Sequence, residues 1–339
     1  MEGTRTQKGI HVGGDARQRY HDARGYGEPA DNGGILLRPV EAAHLLYRDD
    51  LDAVDGEDFG EFLASNPRQS FIAEFVVYKD LRERGYYLRP THETASETFA
   101  VFERGSGPSD GPIAYHITVI DERAERRASS LTEGVLAIVD DEAEVGYIGI
   151  ERQSPSGTLD SDPAGPISAS VVGKRVIIWD PPANLYREHF YGQPIGGREA
   201  FDDVLQLSMV EACYLAEKGI LDLAMPVHDL VEVGRSLEGR HFDRRLAAYR
   251  FLREAGTVPK TGYKFGADFR VYRSFQSLDA MGHSELLIRV LAPDAVIQPQ
   301  ALALDVRLAH GVGKRMVFAR SEATNDRSID WLSIERVTP

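Results

Sequence analysis

Three residues in the second half of the chain, Tyr272, His283 and Lys314, bring together a phenol, an imidazole and an ammonium group. None is a nucleophile of the Ser or Cys type, and they form no metal-ligand cluster. They can move protons and stabilise negative charge. Such a set suits RNA cleavage without a metal, in which the RNA supplies its own nucleophile, the 2′-hydroxyl. A base removes the hydroxyl proton, an acid protonates the departing 5′-oxygen, and a cation stabilises the crowded pentavalent phosphate. Histidine, with an ordinary pKa of about 6.5, is a good acid. Tyrosine, at about 10, is a poor base at neutral pH unless a nearby cation lowers it. Lys314 is the candidate for that cation and for a phosphate contact.

These residues stand out because the chain is duplicated. Residues 40–52, beginning Val40-Glu41-Ala42-Ala43, recur at 210–222 as Val210-Glu211-Ala212-Cys213. Four further blocks recur in the same order, among them Tyr78-Lys79-Asp80-Leu81-Arg82 with Tyr249-Arg250-Phe251-Leu252-Arg253, and Tyr147 to Arg152 with Trp331 to Arg336. Tyr272 falls opposite Phe102, His283 opposite Pro112, and Lys314 opposite about Gly134. There the first copy is shorter by roughly one or two helix turns. Drift accounts for any one of these differences. Joint loss from one copy, on a scaffold kept in both, points to function.

The elements that must position them follow from periodicity. Leu207, Val210, Cys213 and Tyr214 predict one buried helical stripe, and Phe242, Leu246 and Tyr249 a second that Gly256 stops. Strand-like runs follow at 268–272 and 285–291. A helix carrying Leu302, Val306 and Ala309 comes next, then strands at 316–319 and 331–335. That order predicts an α+β fold, a small mixed sheet with helices against it, built twice. The copies are expected over 9–152 and 170–339, the second dividing into an N-terminal subdomain (170–235) and a catalytic one (236–339). The Pro/Gly/Ser-rich stretch 153–169 reads as a linker.

Composition narrows the classes. The chain has 339 residues, enough for several cores, with 53 acidic against 39 basic residues and a net charge of −14. Lysine is confined to Lys8, Lys79, Lys174, Lys218, Lys260, Lys264 and Lys314. An acidic, lysine-poor surface suits solubility in concentrated salt, as in a halophile. It argues against broad nucleic-acid affinity, so any RNA must be met by a local arginine patch. The single cysteine, Cys213, falls on a helical stripe and excludes an internal disulfide. No apolar stretch of membrane-spanning length and no apolar leader are present, which predicts a cytoplasmic protein without membrane contact.

The run Gly262-Tyr263-Lys264-Phe265-Gly266-Ala267-Asp268-Phe269-Arg270-Val271-Tyr272, then His283-Ser284-Glu285, then Val306-Arg307-Leu308-Ala309-His310 and Lys314-Arg315, resembles the catalytic domain of archaeal tRNA-splicing endonucleases. The duplicated chain with one degenerate copy resembles the homodimeric form of that family. The resemblance implies two repeats, each with a small N-terminal α/β subdomain and a C-terminal nuclease-type subdomain. It also implies a homodimer acting on precursor tRNA at bulge–helix–bulge motifs, leaving a 2′,3′-cyclic phosphate and a 5′-hydroxyl and using no cofactor. Tyr272, His283 and Lys314 then become base, acid and transition-state stabiliser.

Arg307, His310 and Lys314 stand at i, i+3 and i+7, approximately one helical face, which aims Arg307 toward the cleft of Lys314. The family resembled sandwiches a flipped bulge base between two arginines, and Arg307 and Arg336 occupy the matching places. Guanidinium planes stack on bases without reading sequence. Arg336 has a counterpart, Arg152, in the first copy. The turn Asp140-Asp141-Glu142-Ala143-Glu144 is ordinarily a solvated turn. The resemblance makes Asp140, Asp141, Glu142 and Glu144 an acidic loop docking on a partner subunit, with Arg240, Arg244 and Arg245 as possible receivers. The matching turn, Ser321 to Arg327, is longer and less acidic.

Two other classes compete. A non-catalytic RNA-binding or scaffold subunit conflicts with the complete Tyr/His/Lys set. A metal-dependent nuclease of the restriction type needs clustered carboxylates, and the relevant strands offer only Asp268 and Glu285.

Overall fold

The first repeat opens with β1 (Glu2–Thr6), β2 (Gly9–Val12), β3 (Glu28–Pro29), β4 (Ile35–Leu37) and β5 (Ala53–Val54), which form a sheet in the order β3-β4-β2-β1-β5. Helix α1 (Pro39–Tyr47) lies between β4 and β5, helices α2 (Phe59–Ser65) and α3 (Phe71–Glu83) follow β5, and then come β6 (Leu88–Pro90), β7 (Phe99–Phe102), β8 (Ile113–Asp121), β9 (Arg126–Arg127), β10 (Gly134–Val139) and β11 (Val145–Arg152). This computed structural model describes residues 1–91, 97–107, 111–197, 199–200, 203–322 and 328–339.

The second repeat retraces the first. Strands β12 (Ile167–Val172), β13 (Arg175–Ile178), β14 (Gln193–Pro194), β15 (Leu205–Leu207) and β16 (Leu221–Leu223) form a sheet in the order β14-β15-β13-β12-β16, with α4 (Ala183–Arg187) and α5 (Met209–Glu217) among them. After α6 (Val227–Glu238) and α7 (Arg240–Glu254) come β17 (Val258–Thr261), β18 (Phe269–Tyr272), β19 (Leu286–Leu291), β20 (Val296–Ile297), α8 (Pro299–Gly311), β21 (Arg315–Arg320) and β22 (Asp330–Arg336). The two N-terminal sheets thus share one strand order. The C-terminal halves fuse into a single ten-stranded sheet, β17-β18-β19-β21-β22-β11-β10-β8-β7-β6, with β11 paired to β22.

Local chemistry explains the helices. Ser208 caps α5, and the Glu211 carboxylate accepts from the Ser208 N–H at 2.8 Å, a capping box that ends β15 and starts the helix. Leu207 is therefore the last residue of a strand, and the expected stripe begins at Val210. Phe242, Leu246 and Tyr249 are buried along α7 as expected, and Gly256 follows with φ 74. Leu302, Val306 and Ala309 are the buried face of α8. Pro259 interrupts the strand pattern of β17, and proline is tolerated there because β17 is an edge strand.

Three expectations need correction. The first sheet starts at Glu2, before the expected boundary at residue 9, and β12 starts at Ile167, inside the expected linker 153–169. The linker is also fastened down: Gly157 N donates to Ala255 O at 2.8 Å and Thr158 N to Arg273 O at 3.0 Å. The first repeat lacks more than a turn or two near Lys314. The 13-residue α8 is replaced by one 3₁₀ turn, Ala128–Ser130.

Each repeat has its own apolar core. A third core, with Ile148, Ile150, Leu332 and Ile334, lies at the junction under α8.

Candidate active site

Strand register, rather than sequence proximity, assembles the site. Val271 of β18 pairs with Leu286 of β19, and Leu286 pairs with Arg315 of β21. One step along, Tyr272, Glu285 and Lys314 fall side by side across three adjacent strand ends. The backbone confirms the row: Glu285 N donates to Val271 O at 3.0 Å, and Arg315 N donates to Glu285 O at 2.9 Å.

Lys314 stands just beyond α8, which ends at Gly311, with Gly313 at φ 66. Its ammonium donates to Ser284 O at 2.6 Å and lies 5.6 Å from the Phe265 ring centroid. Partial burial pulls its pKa below the ordinary lysine value, and Arg270 adds to this while Glu285 opposes it. Lys314 therefore holds the segment that carries His283. His283 itself is exposed, next to that anchored carbonyl and two residues before Glu285. Tyr272 is only 4% exposed. Its ring meets Phe190 edge-on at 5.7 Å, and the Arg270 guanidinium carbon lies 5.9 Å from its centroid.

A cleft of about 430 Å³ opens beside Lys314, lined also by Glu285, His310, Arg273, Arg315 and Arg336. It is locally cationic in a chain of net charge −14. Arg336 lines it as expected, whereas Tyr272 and His283 do not. Arg307 does not either; it is exposed on α8, with Val306 and His310 facing the cleft from that helix. The expected shared face fails because the helix stops before Lys314, so the i, i+7 relation no longer holds.

The second repeat braces this region from behind. Lys260 of β17 is buried and donates to Glu211 Oε1 at 2.7 Å, Gly192 O at 2.9 Å and Phe190 O at 3.1 Å. This fixes Phe190, the residue that packs on Tyr272. Burial would raise the Glu211 carboxyl, but Lys260 holds it below its usual range. The reading of the sequence missed this pair, since 49 residues separate the partners and neither lies in a catalytic motif.

The first repeat lacks these three side chains. Phe102 ends β7 as Tyr272 ends β18, and Pro112 precedes β8 where His283 precedes β19. Gly134 pairs with Ile150 as Met316 pairs with Ile334, so the counterpart of Lys314 is Thr132 rather than Gly134.

Among the described residues, no group of three or more His, Cys, Asp or Glu could hold a metal ion. Asp268 and Glu285 are not a carboxylate pair. Asp268 Oδ1 meets His241 Nε2 at 2.8 Å and Arg245 Nε at 3.2 Å, while Oδ2 accepts from Val290 N at 2.8 Å. Burial would raise Asp268, yet these partners hold it below the ordinary range.

In the acidic turn, Asp140 Oδ1 accepts from Glu142 N at 3.0 Å and Glu144 N at 2.8 Å, and Asp141 pairs with Arg123. Glu142 and Glu144 are exposed. Of the arginines considered as receivers, Arg245 is committed to Glu238 and Asp268. Arg240 and Arg244 line a cleft of about 310 Å³ with Arg127. The matching turn of the second repeat lies largely outside the described residues, at 323–327. Among the described residues, no helix is long and apolar enough to cross a membrane.

The family model for the tRNA intron endonuclease N-terminal domain matches residues 1–63 and again 167–233. The model for the tRNA intron endonuclease catalytic C-terminal domain matches 242–331. The chain is 49% identical to a tRNA-splicing endonuclease of Halobacterium salinarum and 48% identical to one of Haloferax volcanii, in both cases over the full length of each chain. It is 35% identical to a tRNA-splicing endonuclease of Methanosarcina mazei over 92% of each chain.

Proposed function

As a member of the tRNA intron endonuclease family, this chain is an RNA endonuclease that removes introns from precursor tRNA, and we propose that it cuts bulge–helix–bulge motifs by metal-independent attack of the 2′-hydroxyl. Tyr272 takes the hydroxyl proton. The freed oxygen attacks the adjacent phosphorus, and the bond to the 5′-oxygen breaks. His283 protonates that leaving oxygen, which produces a 2′,3′-cyclic phosphate and a 5′-hydroxyl. Lys314 stabilises the charge on the pentavalent phosphate.

The observation that carries this reading is the row Tyr272–Glu285–Lys314, with Lys314 also bonded to the carbonyl next to His283. It occurs in the repeat that retains α8. The exposed imidazole reaches substrate from a segment anchored by the same lysine. Arg336, at the cleft, stacks on a bulge base, and Arg307, exposed on α8 outside the cleft, is the candidate for its second face.

The domain roles follow from the same asymmetry. The first repeat supplies scaffold and assembly, and the second supplies chemistry. Two chains form a homodimer through the acidic turn of one and the arginines Arg240 and Arg244 of the other, in the cytoplasm of a halophilic cell. The test is cleavage of a bulge–helix–bulge RNA in EDTA. Cyclic-phosphate products at an undiminished rate are expected. Loss of activity in EDTA, with recovery on adding magnesium at fixed RNA fold, would overturn the mechanism.

A further inference from the structure

The turn between β17 and β18 is closed by its own backbone. Phe265 N donates to Gly262 O at 2.7 Å, Gly266 N to Tyr263 O at 3.2 Å, and Gly262 N to Asp268 O at 3.1 Å. Gly266 has φ 67, and a Cβ at Gly262 would stand 2.7 Å from Ala267 O. With the turn held by its glycines, the side chains of Tyr263, Lys264 and Phe265 are released for other work. Phe265 packs on the junction core with its ring against Lys314. That contact sets the turn beside the reacting cation. Lys264 is exposed, and Tyr263 is 87% exposed. A ring held in water on a rigid turn contributes almost nothing to folding.

The duplication supplies an internal comparison. The segment from Thr91 to Thr98 is the counterpart of that from Gly262 to Asp268 and is one residue longer. The sheet fixes both ends, since Pro90 pairs with Phe99 as Thr261 pairs with Phe269, and Phe99 pairs with Ile117 as Phe269 pairs with Ile288. Where the second repeat has Tyr263-Lys264-Phe265 between those ends, the first has His92-Glu93-Thr94-Ala95-Ser96-Glu97, with no tyrosine, phenylalanine or lysine. The copy without Tyr272, His283 and Lys314 has also lost both aromatic rings and the lysine, and carries a carboxylate that repels phosphate.

We propose that Tyr263 stacks on an unpaired nucleobase of the substrate RNA while Lys264 meets a neighbouring phosphate, a contact separate from the arginines at the cleft. The inference rests on the endonuclease reading above. Stacking on an exposed aromatic ring needs no sequence, because every base has a π-face. Both residues are positioning residues, since neither touches the reacting atoms.

The experiment measures binding and single-turnover cleavage of a bulge–helix–bulge RNA by the full chain. Tyr263→Ala is expected to raise the dissociation constant about tenfold. Cleavage at saturating RNA should stay within about twofold and the melting temperature should be unchanged, as suits a residue outside the chemistry and the core. Tyr263→Phe keeps the ring and should bind like wild type. Lys264→Gln should reduce the salt slope of binding by about one. Binding by Tyr263→Ala within about threefold of wild type overturns the proposal. So does a shifted monomer–dimer equilibrium at unchanged RNA affinity, which would assign the ring to a protein contact. A wild-type chain that neither binds nor cuts this RNA overturns the endonuclease reading as well, whereas an effective wild type with an equally effective variant overturns this inference alone.

Discussion

Ile150 lies directly opposite Ile334 where β11 meets β22. The neighbouring pairs are reciprocal: Ile148 with Arg336, and Arg152 with Leu332. Because Ile148 and Leu332 are counterparts, as are Arg152 and Arg336, a pseudo-twofold axis passes between the two isoleucines. It turns two repeats into one sheet by the logic of an isologous dimer. The symmetry is of backbone, and the counterparts are used differently. Arg152 pairs with Asp330 across the junction, while Arg336 lines the cleft beside Lys314.

His283→Ala should lower single-turnover cleavage by about 100-fold or more, the loss expected for a general acid. RNA affinity should be nearly unchanged, because the imidazole is exposed and bears no load in the fold. Rates within a few-fold of wild type, measured at saturating RNA, would remove His283 from the mechanism.

Lys260→Met should destabilise the chain by about 3–5 kcal/mol, because it leaves the Glu211 carboxylate buried without its cation. The double variant Lys260→Met/Glu211→Gln should recover part of that loss. Denaturant midpoints of the single and double variants provide the measurement, and equal midpoints would show that the pair is not coupled. Cleavage should fall with Lys260→Met, since Phe190 and Tyr272 lose their brace.

Glu41 is the counterpart of Glu211 and has no lysine beside it. Burial pushes its carboxyl up to about 7, although the N–H groups of Gly27 and Arg38 and the charge of Arg82 oppose the shift. Below the ordinary glutamate value of about 4.3, both folded and unfolded chains hold the proton, and this contribution to stability is fully present. Between there and about 7 only the folded chain holds it, so the contribution is lost as pH rises. Wild type should lose ~3 kcal/mol more than Glu41→Gln between pH 5 and pH 8. Urea unfolding at the two pH values checks this; parallel losses would place the Glu41 carboxyl in its normal range.

Glu142→Gln with Glu144→Gln should weaken the proposed homodimer about tenfold, provided the contact is better shielded than an exposed pair. These two carboxylates are the ones to change, because Asp140 builds the turn and Asp141 is held by Arg123. Sedimentation across protein concentration reads the result. An unshifted equilibrium would leave the turn as ordinary solvated surface.

The candidate catalytic residues were legible because they are matters of type and order. Tyr272, His283 and Lys314 showed against Phe102, Pro112 and a shortened segment, and the buried stripes of α7 and α8 showed in their spacing. The reading failed where a local signal was misweighed. The stripe that starts at Leu207 crosses the Ser208/Glu211 capping box that begins α5, and Pro259 masks the strand pattern of β17. Arg307 was aimed at the cleft by extending helical spacing past the glycines that end α8.

By itself, then, the sequence determined the duplication, the candidate Tyr/His/Lys set, the α+β class and which copy keeps those three side chains, since each is written in residue identity and short-range periodicity. The tertiary structure alone decided the row Tyr272–Glu285–Lys314, the Lys260–Glu211 brace and the Ile150–Ile334 axis. Each depends on strand register and burial between segments far apart in the chain. A register is chosen by which faces can be buried together, and no local run of residues encodes that choice.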